Sequence, residues 1–547
     1  MVIAAMNELV NHARQFVSSL GDLPNVVTVS AREVAEQAKV YGRVTQYGSY
    51  NFSSNVKNLS TALTVYLGSD RVETEVLTQR KREIKRSAPE TIERLEKYLT
   101  RVPAVRVCCR IGDRSDFTPS CAFVVSTYRA DSIRLAHMVT QNLFPADESG
   151  SADLIVVAVP EWPEKERQVL VFPEAGVTLV LGTDFFGEIK NAFLRMAMWL
   201  AKERGMLGLH AGTQIVHAQS SDGALRRLGV IMFGIAATGK TTHSCHDHGL
   251  DRPGEAVQIA QDDVVFWNAD GSALGSERGL YIATLGLSPD HQPVLYSAAT
   301  KPEAILENVF VDFTGAVDFD DRSITPNAHA LAPRTSLGSF ALDGINLPPV
   351  SDLDRFVLLF MVRDYTVVPI ASKLTPEQAT VAFMLSESID IVGADQQTGM
   401  MSGGIGASPY IVGDAVVDCN RFYEFVKSHG SKIECYMLNT GGVGELVEHE
   451  LDGSRKVLRK VARIAIPEMA AVIRGILRGI IKWREDPNWM VETPAFVEGV
   501  DISRFELSRH YDQQRIDFLI AEKRAERARY AEGFANLDPA VRAAAEF

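Results

Sequence analysis

Cysteine is scarce in this chain, and the few cysteines are widely separated. Six occur among 547 residues: Cys108, Cys109, Cys121, Cys245, Cys419 and Cys435. A disulfide framework needs several closely spaced cysteines in a short secreted chain, so this distribution argues against one. We expect reduced thiols in a protein of the cytoplasm.

Positive charge is also in deficit. Lysine and arginine number 56 against 69 acidic residues, which gives a net charge of −13, and no basic tail offsets it. Because non-specific nucleic-acid binding depends on a basic surface, we expect no nucleic-acid partner.

Long apolar runs are missing as well. No stretch approaches the roughly 20 residues that span a membrane, and residues 1–9 lack the basic start and long apolar core of a signal peptide. We therefore expect no membrane partner. The length suffices for two to four domains, and a composition of 46% hydrophobic and 23% charged residues is typical of a soluble globular protein. The oligomeric state stays open.

The most informative segment is residues 234–242, Gly-Ile-Ala-Ala-Thr-Gly-Lys-Thr-Thr. It matches the phosphate-loop pattern and follows an apolar run at residues 228–233 that is typical of a buried strand. The pattern predicts that backbone N–H groups and a following helix N-terminus cradle the phosphates of a nucleoside triphosphate. The predicted binding residues are Gly234, Ala236, Ala237, Thr238, Gly239, Lys240, Thr241 and Thr242. Lys240 is expected to reach the β- and γ-phosphates, and Thr241 to ligate Mg²⁺.

An acidic pair follows the loop by about twenty residues. Asp262 and Asp263 follow the apolar strand predicted over residues 256–260, and two carboxylates suit Mg²⁺ or Mn²⁺ beside phosphate oxygens. An ordinary Asp-Asp turn is the alternative, less favoured after a phosphate loop.

Histidines also occur around the loop. His210 precedes the loop strand and, taken alone, is more typical of a packed or capping residue. His243, Cys245, His246 and His248 resemble a metal site by number, but their spacing does not fit structural zinc. We interpret this group as the polar side of the helix that follows the loop.

The pattern of apolar segments and turn residues changes near residue 206. Before it, helices alternate with apolar strands, and one helix is predicted over residues 87–101. After it, short apolar strands alternate with turns rich in Asp, Gly and Pro. The sequence predicts a mixed α/β fold with two domains. The part after residue 206 is expected to be a β-rich nucleotide-binding domain with added helices.

Several blocks together resemble the ATP-dependent phosphoenolpyruvate carboxykinase family. In chain order they are His210 in Gly-Leu-His-Ala, residues 234–242, Asp262-Asp263, and residues 277–288, 305–309, 317–321, 372–380, 439–441 and 462–466. The resemblance covers residues 177–480 and is faint before them. It implies two domains flanking a cleft. Residues 1–205 would form a substrate-side domain, and residues 206–547 a C-terminal domain that binds ATP and metal through the phosphate loop. It also implies decarboxylation of oxaloacetate and phosphorylation of the resulting enolate, with Mg²⁺ at ATP and a second metal, usually Mn²⁺, at the substrate.

On the ATP side the resemblance carries over well. Lys240, Thr241, Asp262 and Asp263 fall on family positions. Arg463 and Ile464 match the adenine-contacting segment, where a guanidinium plane suits a purine face. His210 and Asp263 match two of the three ligands that the resemblance implies for the second metal.

On the substrate side it does not carry over. The third metal ligand, a lysine, falls on Asn191, although Lys190 is adjacent. A tyrosine is replaced by Phe185, a lysine by Ala283 and an arginine by His329, with Arg334 five residues on as a candidate substitute. The expected Gly-Arg-Ser-Pro-Lys segment reads Gly-Ser-Tyr-Asn-Phe at residues 48–52, with Ser49 in place of the arginine.

Three hypotheses follow. The favoured one is an ATP-dependent phosphotransferase of carboxykinase fold whose small-molecule acceptor is less anionic or larger than oxaloacetate, with His329 or Arg334 beside the transferred phosphoryl group. Loss of several basic groups favours it, since an unpaired dianion pays a large desolvation cost. The second is an ordinary carboxykinase whose substrate residues are misaligned. The third is a non-catalytic ATP-binding protein, disfavoured because Lys240, Thr241 and Asp263 are all present.

Overall fold

The structure is a computed structural model that describes residues 2–147, 151–234, 238–385, 410–449 and 455–546. The chain forms two compact units. The first comprises residues 1–208, 274–338 and 409–414, and the second comprises residues 209–273, 339–408 and 415–547. Each unit is therefore assembled from three separate stretches of chain.

The helices of the described residues are α1 (Val2–Ser19), α2 (Ala31–Lys39), α3 (Gln79–Leu99), α4 (Ile133–Asn142), α5 (Phe186–Glu203), α6 (Lys240–Ser244), α7 (Pro293–Ala299), α8 (Pro376–Leu385), α9 (Ala415–Ser428), α10 (Ile466–Arg478), α11 (Gln513–Glu532) and α12 (Pro539–Ala543).

The strands up to the acidic pair are β1 (Val26–Thr28), β2 (Arg43–Val44), β3 (Tyr50–Phe52), β4 (Thr64–Tyr66), β5 (Ala104–Arg110), β6 (Ser120–Ser126), β7 (Phe144–Pro145), β8 (Leu154–Val159), β9 (Gln168–Phe172), β10 (Val177–Leu181), β11 (Leu207–Gln219), β12 (Leu225–Phe233) and β13 (Ala256–Gln261). The later strands are β14 (Val264–Trp267), β15 (Ala273–Gly275), β16 (Gly279–Ala283), β17 (Ile305–Glu307), β18 (Phe310–Val311), β19 (Val317–Asp318), β20 (His329–Pro333), β21 (Arg355–Val362), β22 (Ala371–Leu374), β23 (Ile433–Asn439), β24 (Gly442–Val443), β25 (Leu446–His449), β26 (Arg455–Arg459), β27 (Ala462–Arg463), β28 (Lys482–Glu485) and β29 (Glu492–Phe496).

The larger sheet of the first unit has the strand order β1-β5-β6-β8-β10-β9-β4, with β7 pairing β5. Its central strands β8 and β10 are buried along their whole length, which explains their unbroken apolar sequences. The helix predicted over residues 87–101 is the C-terminal half of α3. It begins earlier, where Thr78 caps it by accepting from the Lys81 N–H.

A second sheet of this unit has the order β16-β20-β17-β3-β2. Strand β17 pairs in parallel with β3, with Ile305 opposite Tyr50 and Glu307 opposite Phe52. This pairing ties residues 274–338 to the N-terminal unit. The sequence prediction placed all residues after 205 in one C-terminal domain, and the structure differs for this segment, because no local pattern signals a pairing between strands so distant in the chain.

The second unit contains a sheet in which β14-β11-β12-β21-β23-β22-β29-β28 are successive neighbours, with β13 also pairing β11. Its centre is parallel, since β21 runs parallel to both β12 and β23. Aromatic rings pack under the end of β12: Phe233 stacks on Phe360 with centroids 4.8 Å apart, and Phe383 stacks on Phe422 at 4.5 Å. This packing holds Phe233, the last residue of β12, directly before Gly234.

The predicted mixed α/β class is thus confirmed. All six cysteines are free thiols, and five of them are buried. Across the described ranges, no helix combines the length and the apolar character that crossing a bilayer requires.

Candidate active site

Gly234 directly follows β12, and α6 begins at Lys240, so the described ends of the glycine-rich segment adjoin a strand and a helix. A side chain at Gly234 would overlap the Thr238 hydroxyl, and Gly239 has a φ of +87°, which favours glycine. Helix α6 is only five residues long, so the positive charge beside the loop comes chiefly from Lys240. The predicted binding residues Ala236 and Ala237 lie outside the described residues.

Lys240 is held by the acidic pair. Its ammonium donates to the Asp262 carbonyl oxygen and lies 3.9 Å from Asp262 Oδ1 and 4.0 Å from Asp263 Oδ1. The lysine side chain is 8% exposed, so these oxygens balance a charge that burial would otherwise penalise. The Ser244 hydroxyl also donates to Asp262 Oδ1.

His210 joins the same group of side chains. Its Nε2 lies 2.9 Å from Asp263 Oδ1, and the Ala211 N–H donates to the Asp263 carbonyl oxygen at 2.7 Å. Strand β11 and the turn between β13 and β14 thus bring His210 to the acidic pair. The structure therefore gathers His210, Lys240, Asp262 and Asp263, which the sequence places over more than fifty residues.

The described side chains offer few donor groups for a divalent cation. Within the described ranges, no three His, Cys, Asp or Glu side chains form a group able to hold a metal ion. Mg²⁺, however, is usually bound by one or two carboxylates, with water and phosphate oxygens completing its octahedron. The carboxylates of Asp262 and Asp263 and the imidazole of His210 are donors of this type, and Thr241 follows Lys240 on α6. Phosphate oxygens of a nucleotide would complete such a set.

Thr440 anchors the phosphate loop, a role that no sequence pattern indicated although residues 439–441 belong to a family block. Its hydroxyl lies within hydrogen-bond distance of the carbonyl oxygens of Thr238, at 2.7 Å, and Val362, at 3.1 Å. The neighbouring Asn439 is fully buried. Its amide oxygen accepts from the Asp364 and Gly441 N–H groups, and its amide nitrogen donates to two carbonyl oxygens.

The predicted adenine segment lies on β27, where Arg463 pairs with Gly442 of β24. The Arg463 guanidinium lies 5.1 Å from the ring centroid of Tyr365, and that of Arg363 lies 5.7 Å from the same ring. Arg363 Nε also donates to the Tyr365 hydroxyl at 2.9 Å. Tyr365 thus supports Arg463, and no sequence pattern pointed to it. Ile464 is buried beside them and donates its N–H to the Gly441 carbonyl.

The histidine cluster after the loop differs from its interpretation. His243 and His248 are buried rather than on the polar side of a helix, and α6 ends before His246. The three rings lie 5.4–6.2 Å apart between centroids. Burial lowers the pKa of His243 to about 3, so its ring packs as a neutral group.

The substrate-side residues belong to the first unit. The Phe185 ring is buried, with its centroid 6.0 Å from that of His329. His329 stacks on Tyr281 at 4.2 Å and pairs across the strands with Ala283. Burial, with repulsion from Lys190, lowers the pKa of His329 to about 4. His329 is therefore neutral at pH 7 and does not supply the charge of an arginine.

The remaining substrate-side residues are held by neighbours. Lys190 Nζ lies 3.4 Å from Glu277 Oε2, with both side chains buried. The Asn191 amide oxygen accepts from the Tyr410 hydroxyl at 2.8 Å. Ser49 is buried, with its hydroxyl 2.7 Å from that of Thr45. Arg334 follows β20, and its backbone N–H donates to the Arg278 carbonyl at 3.2 Å.

Comparisons with known proteins agree on one family. A family model described as phosphoenolpyruvate carboxykinase matches residues 26–503. A protein of Aeropyrum pernix named phosphoenolpyruvate carboxykinase (ATP) is 32% identical over 422 residues, which cover 76% of this chain and 77% of that protein. Proteins of the same name from Rhizobium rhizogenes and Thermus thermophilus are 26% and 28% identical. They match 69% and 63% of this chain, and 67% and 60% of their own lengths.

Replacing Lys240 with methionine tests the loop. We expect ATP to bind roughly tenfold or more weakly, because a charged hydrogen-bond donor contributes about 1.5–3 kcal/mol, and we expect turnover to be lost. Isothermal titration calorimetry measures the affinity. The exposed Lys456→Met variant is the control and should bind ATP as the unmodified protein does. Unchanged ATP affinity in Lys240→Met would contradict the assignment.

The low pKa of His329 makes stability depend on pH. Between about pH 4 and about 6.5 the unfolded chain binds a proton at this residue and the folded chain does not, so acidification through this range lowers the free energy of unfolding. We expect His329→Phe to reduce that slope by at most about 1.4 kcal/mol per pH unit. Urea unfolding at several pH values measures it, and identical slopes in both proteins would refute a neutral imidazole at His329 in the folded chain.

Proposed function

The chain belongs to the ATP-dependent phosphoenolpyruvate carboxykinase family, and on this premise we propose that it decarboxylates oxaloacetate and transfers the γ-phosphoryl group of ATP to the enolate. The gathering of His210, Lys240, Asp262 and Asp263 around the phosphate loop carries the proposal. It is supported by the match over residues 26–503, which includes stretches of both units.

Each residue near the loop has a proposed role. Lys240 is preorganised by oxygen atoms to face the β- and γ-phosphates and to balance the charge that builds up during transfer. Thr241, Asp262, Asp263 and His210 would hold Mg²⁺ and Mn²⁺. The bound cations would neutralise the phosphate oxygens and polarise the substrate oxygen. Thr440 holds the end of the loop at the Thr238 carbonyl, so that the backbone keeps its shape.

The second unit is also proposed to select the base. The Arg463 guanidinium offers a flat face to adenine, with Ile464 as an apolar neighbour. The Tyr365 ring supports the guanidinium of Arg463 through a cation–π contact, with 5.1 Å between guanidinium and ring centroid. ATP is therefore the proposed nucleotide, in preference to GTP.

A second candidate function is phosphoryl transfer to an acceptor other than oxaloacetate. It is favoured by Phe185, Asn191, Ala283 and His329, which occupy positions where the family resemblance implies basic or phenolic groups. The neutral His329 also favours this second function, because it lacks the positive charge that would balance a dianionic substrate. Arg334, five residues after His329, is a basic residue that could supply the missing positive charge. A non-catalytic ATP-binding protein is the third possibility.

A coupled assay separates these functions. With oxaloacetate, ATP, Mg²⁺ and Mn²⁺ we expect phosphoenolpyruvate formation at roughly the 1–100 s⁻¹ common in phosphoryl transfer. Lys240→Met is the inactive control. If ATP binds but oxaloacetate yields no product, the carboxykinase proposal fails, and ADP release with a panel of hydroxyl-bearing acceptors then distinguishes a kinase from a non-catalytic protein.

Tyr365 provides a test of base recognition. We expect Tyr365→Leu to raise the KM for ATP roughly threefold to thirtyfold, as loss of a cation–π contact of about 0.5–2 kcal/mol implies, and to narrow the preference for ATP over GTP. Tyr365→Phe keeps the ring and should retain most of the preference. Steady-state kinetics with both nucleotides measure this, and an unaltered preference in Tyr365→Leu would argue against adenine contact at Arg463.

A further inference from the structure

The first unit contains a polar cavity that none of the proposed acceptor residues lines. Its volume is about 400 Å³, within the range of small-metabolite sites. Its lining includes Arg43, Ser53 and Arg134, and its apolar part consists of Val309, Val311 and Ile324. We propose that this cavity binds a small organic anion, in which a carboxylate or phosphate group meets Arg43 and Arg134 and a short apolar body meets the valines and Ile324.

The floor of the cavity contains a buried guanidinium. Arg134 is 2% exposed, and its Nη atoms contact Glu307 Oε1 at 3.1 Å and Asp184 Oδ2 at 3.2 Å. Its Nε is buried and has no hydrogen-bond partner among the described residues. A buried donor without an acceptor is costly, and an anion bound in the cavity would provide one.

The rim contains an unbalanced positive charge. Arg43 is exposed on the edge strand β2, and no ion pair to it is found in the described parts of the chain. It lies directly opposite Asn51 of β3, so both side chains occupy the same face of the sheet. Asp131, the acidic residue of the lining, is paired with Arg129 at 3.0 Å. Arg134 is likewise paired, with Asp184 and Glu307. Arg43 is therefore the charged side chain of the lining that still lacks a counter-ion in the described residues, and it favours an anion at the rim.

The walls are fixed before any ligand binds. The Asn51 side chain pairs with both backbone groups of Val309, at 2.9 and 3.3 Å. Asn308 pairs with the backbone N–H and hydroxyl of Ser54. The Asn55 N–H and amide nitrogen donate to Asp184, the carboxylate that also contacts Arg134. Such preorganisation lowers the entropy cost of binding.

Calorimetry on the full chain, without ATP or metal and at about physiological salt so that weak surface attraction is screened, tests the proposal with succinate and inorganic phosphate as probes. We expect at least one probe to bind, and Arg43→Gln to weaken it roughly tenfold, the factor of a charged hydrogen bond. Arg32→Gln, the same charge change at an exposed position of α2, should have little effect. Ser53→Trp, which fills the cavity from its exposed rim, should also weaken binding.

Lys240→Met locates the bound probe. Binding that persists in this variant but is lost in Arg43→Gln supports the cavity, whereas binding lost in Lys240→Met alone places the probe at the phosphate loop and overturns the proposal. Equal weakening by Arg43→Gln and Arg32→Gln also overturns it, as does the absence of binding up to about 10 mM, the limit of weak specific affinity. The KM for oxaloacetate in Arg43→Gln then identifies the occupant. A raised KM indicates that the cavity binds the acceptor of the reaction. An unchanged KM indicates that it binds a separate effector. The anion site stands in both cases.

Discussion

The second unit depends on one buried charge, the ammonium of Lys240. Placing an ammonium in an 8% exposed position is costly unless oxygen atoms surround it. The turn between β13 and β14 provides them as the Asp262 carbonyl and the two carboxylates, and β11 adds His210 beside Asp263. Because α6, the turn between β13 and β14, and β11 all meet at these carboxylates, the central sheet and the phosphate site are parts of one arrangement.

The first unit has its own ionic centre. Arg134 contacts both Asp184 and Glu307, and the Tyr281 hydroxyl donates to Glu307 at 2.6 Å. Tyr281 in turn stacks on His329. Burial raises the pKa of Glu307, and the adjacent guanidinium opposes that effect. These side-chain contacts thus connect the polar cavity with the residues proposed to face the acceptor.

Local sequence patterns reveal some features of the candidate site and not others. The phosphate loop was recognisable because glycine spacing, Lys240 and the preceding apolar strand are all local in sequence. The roles of Thr440 and Tyr365 were not, since each acts on a segment more than ninety residues away. The histidines after the loop were misinterpreted because polarity alone suggested exposure, whereas neutral rings can stack and remain buried.

The sequence by itself determined the class of fold and the family, because short-range spacing encodes strand, turn and helix, and because family motifs keep their order. It also predicted the phosphate loop and the acidic pair as sites. Tertiary structure decided which segments build each unit. Residues 274–338 join the first unit through the pairing of β17 with β3. It also decided the charge state of His329 and the cavity around Arg43 and Arg134. Burial and long-range pairing set these properties, and neither is written in the local order of residues.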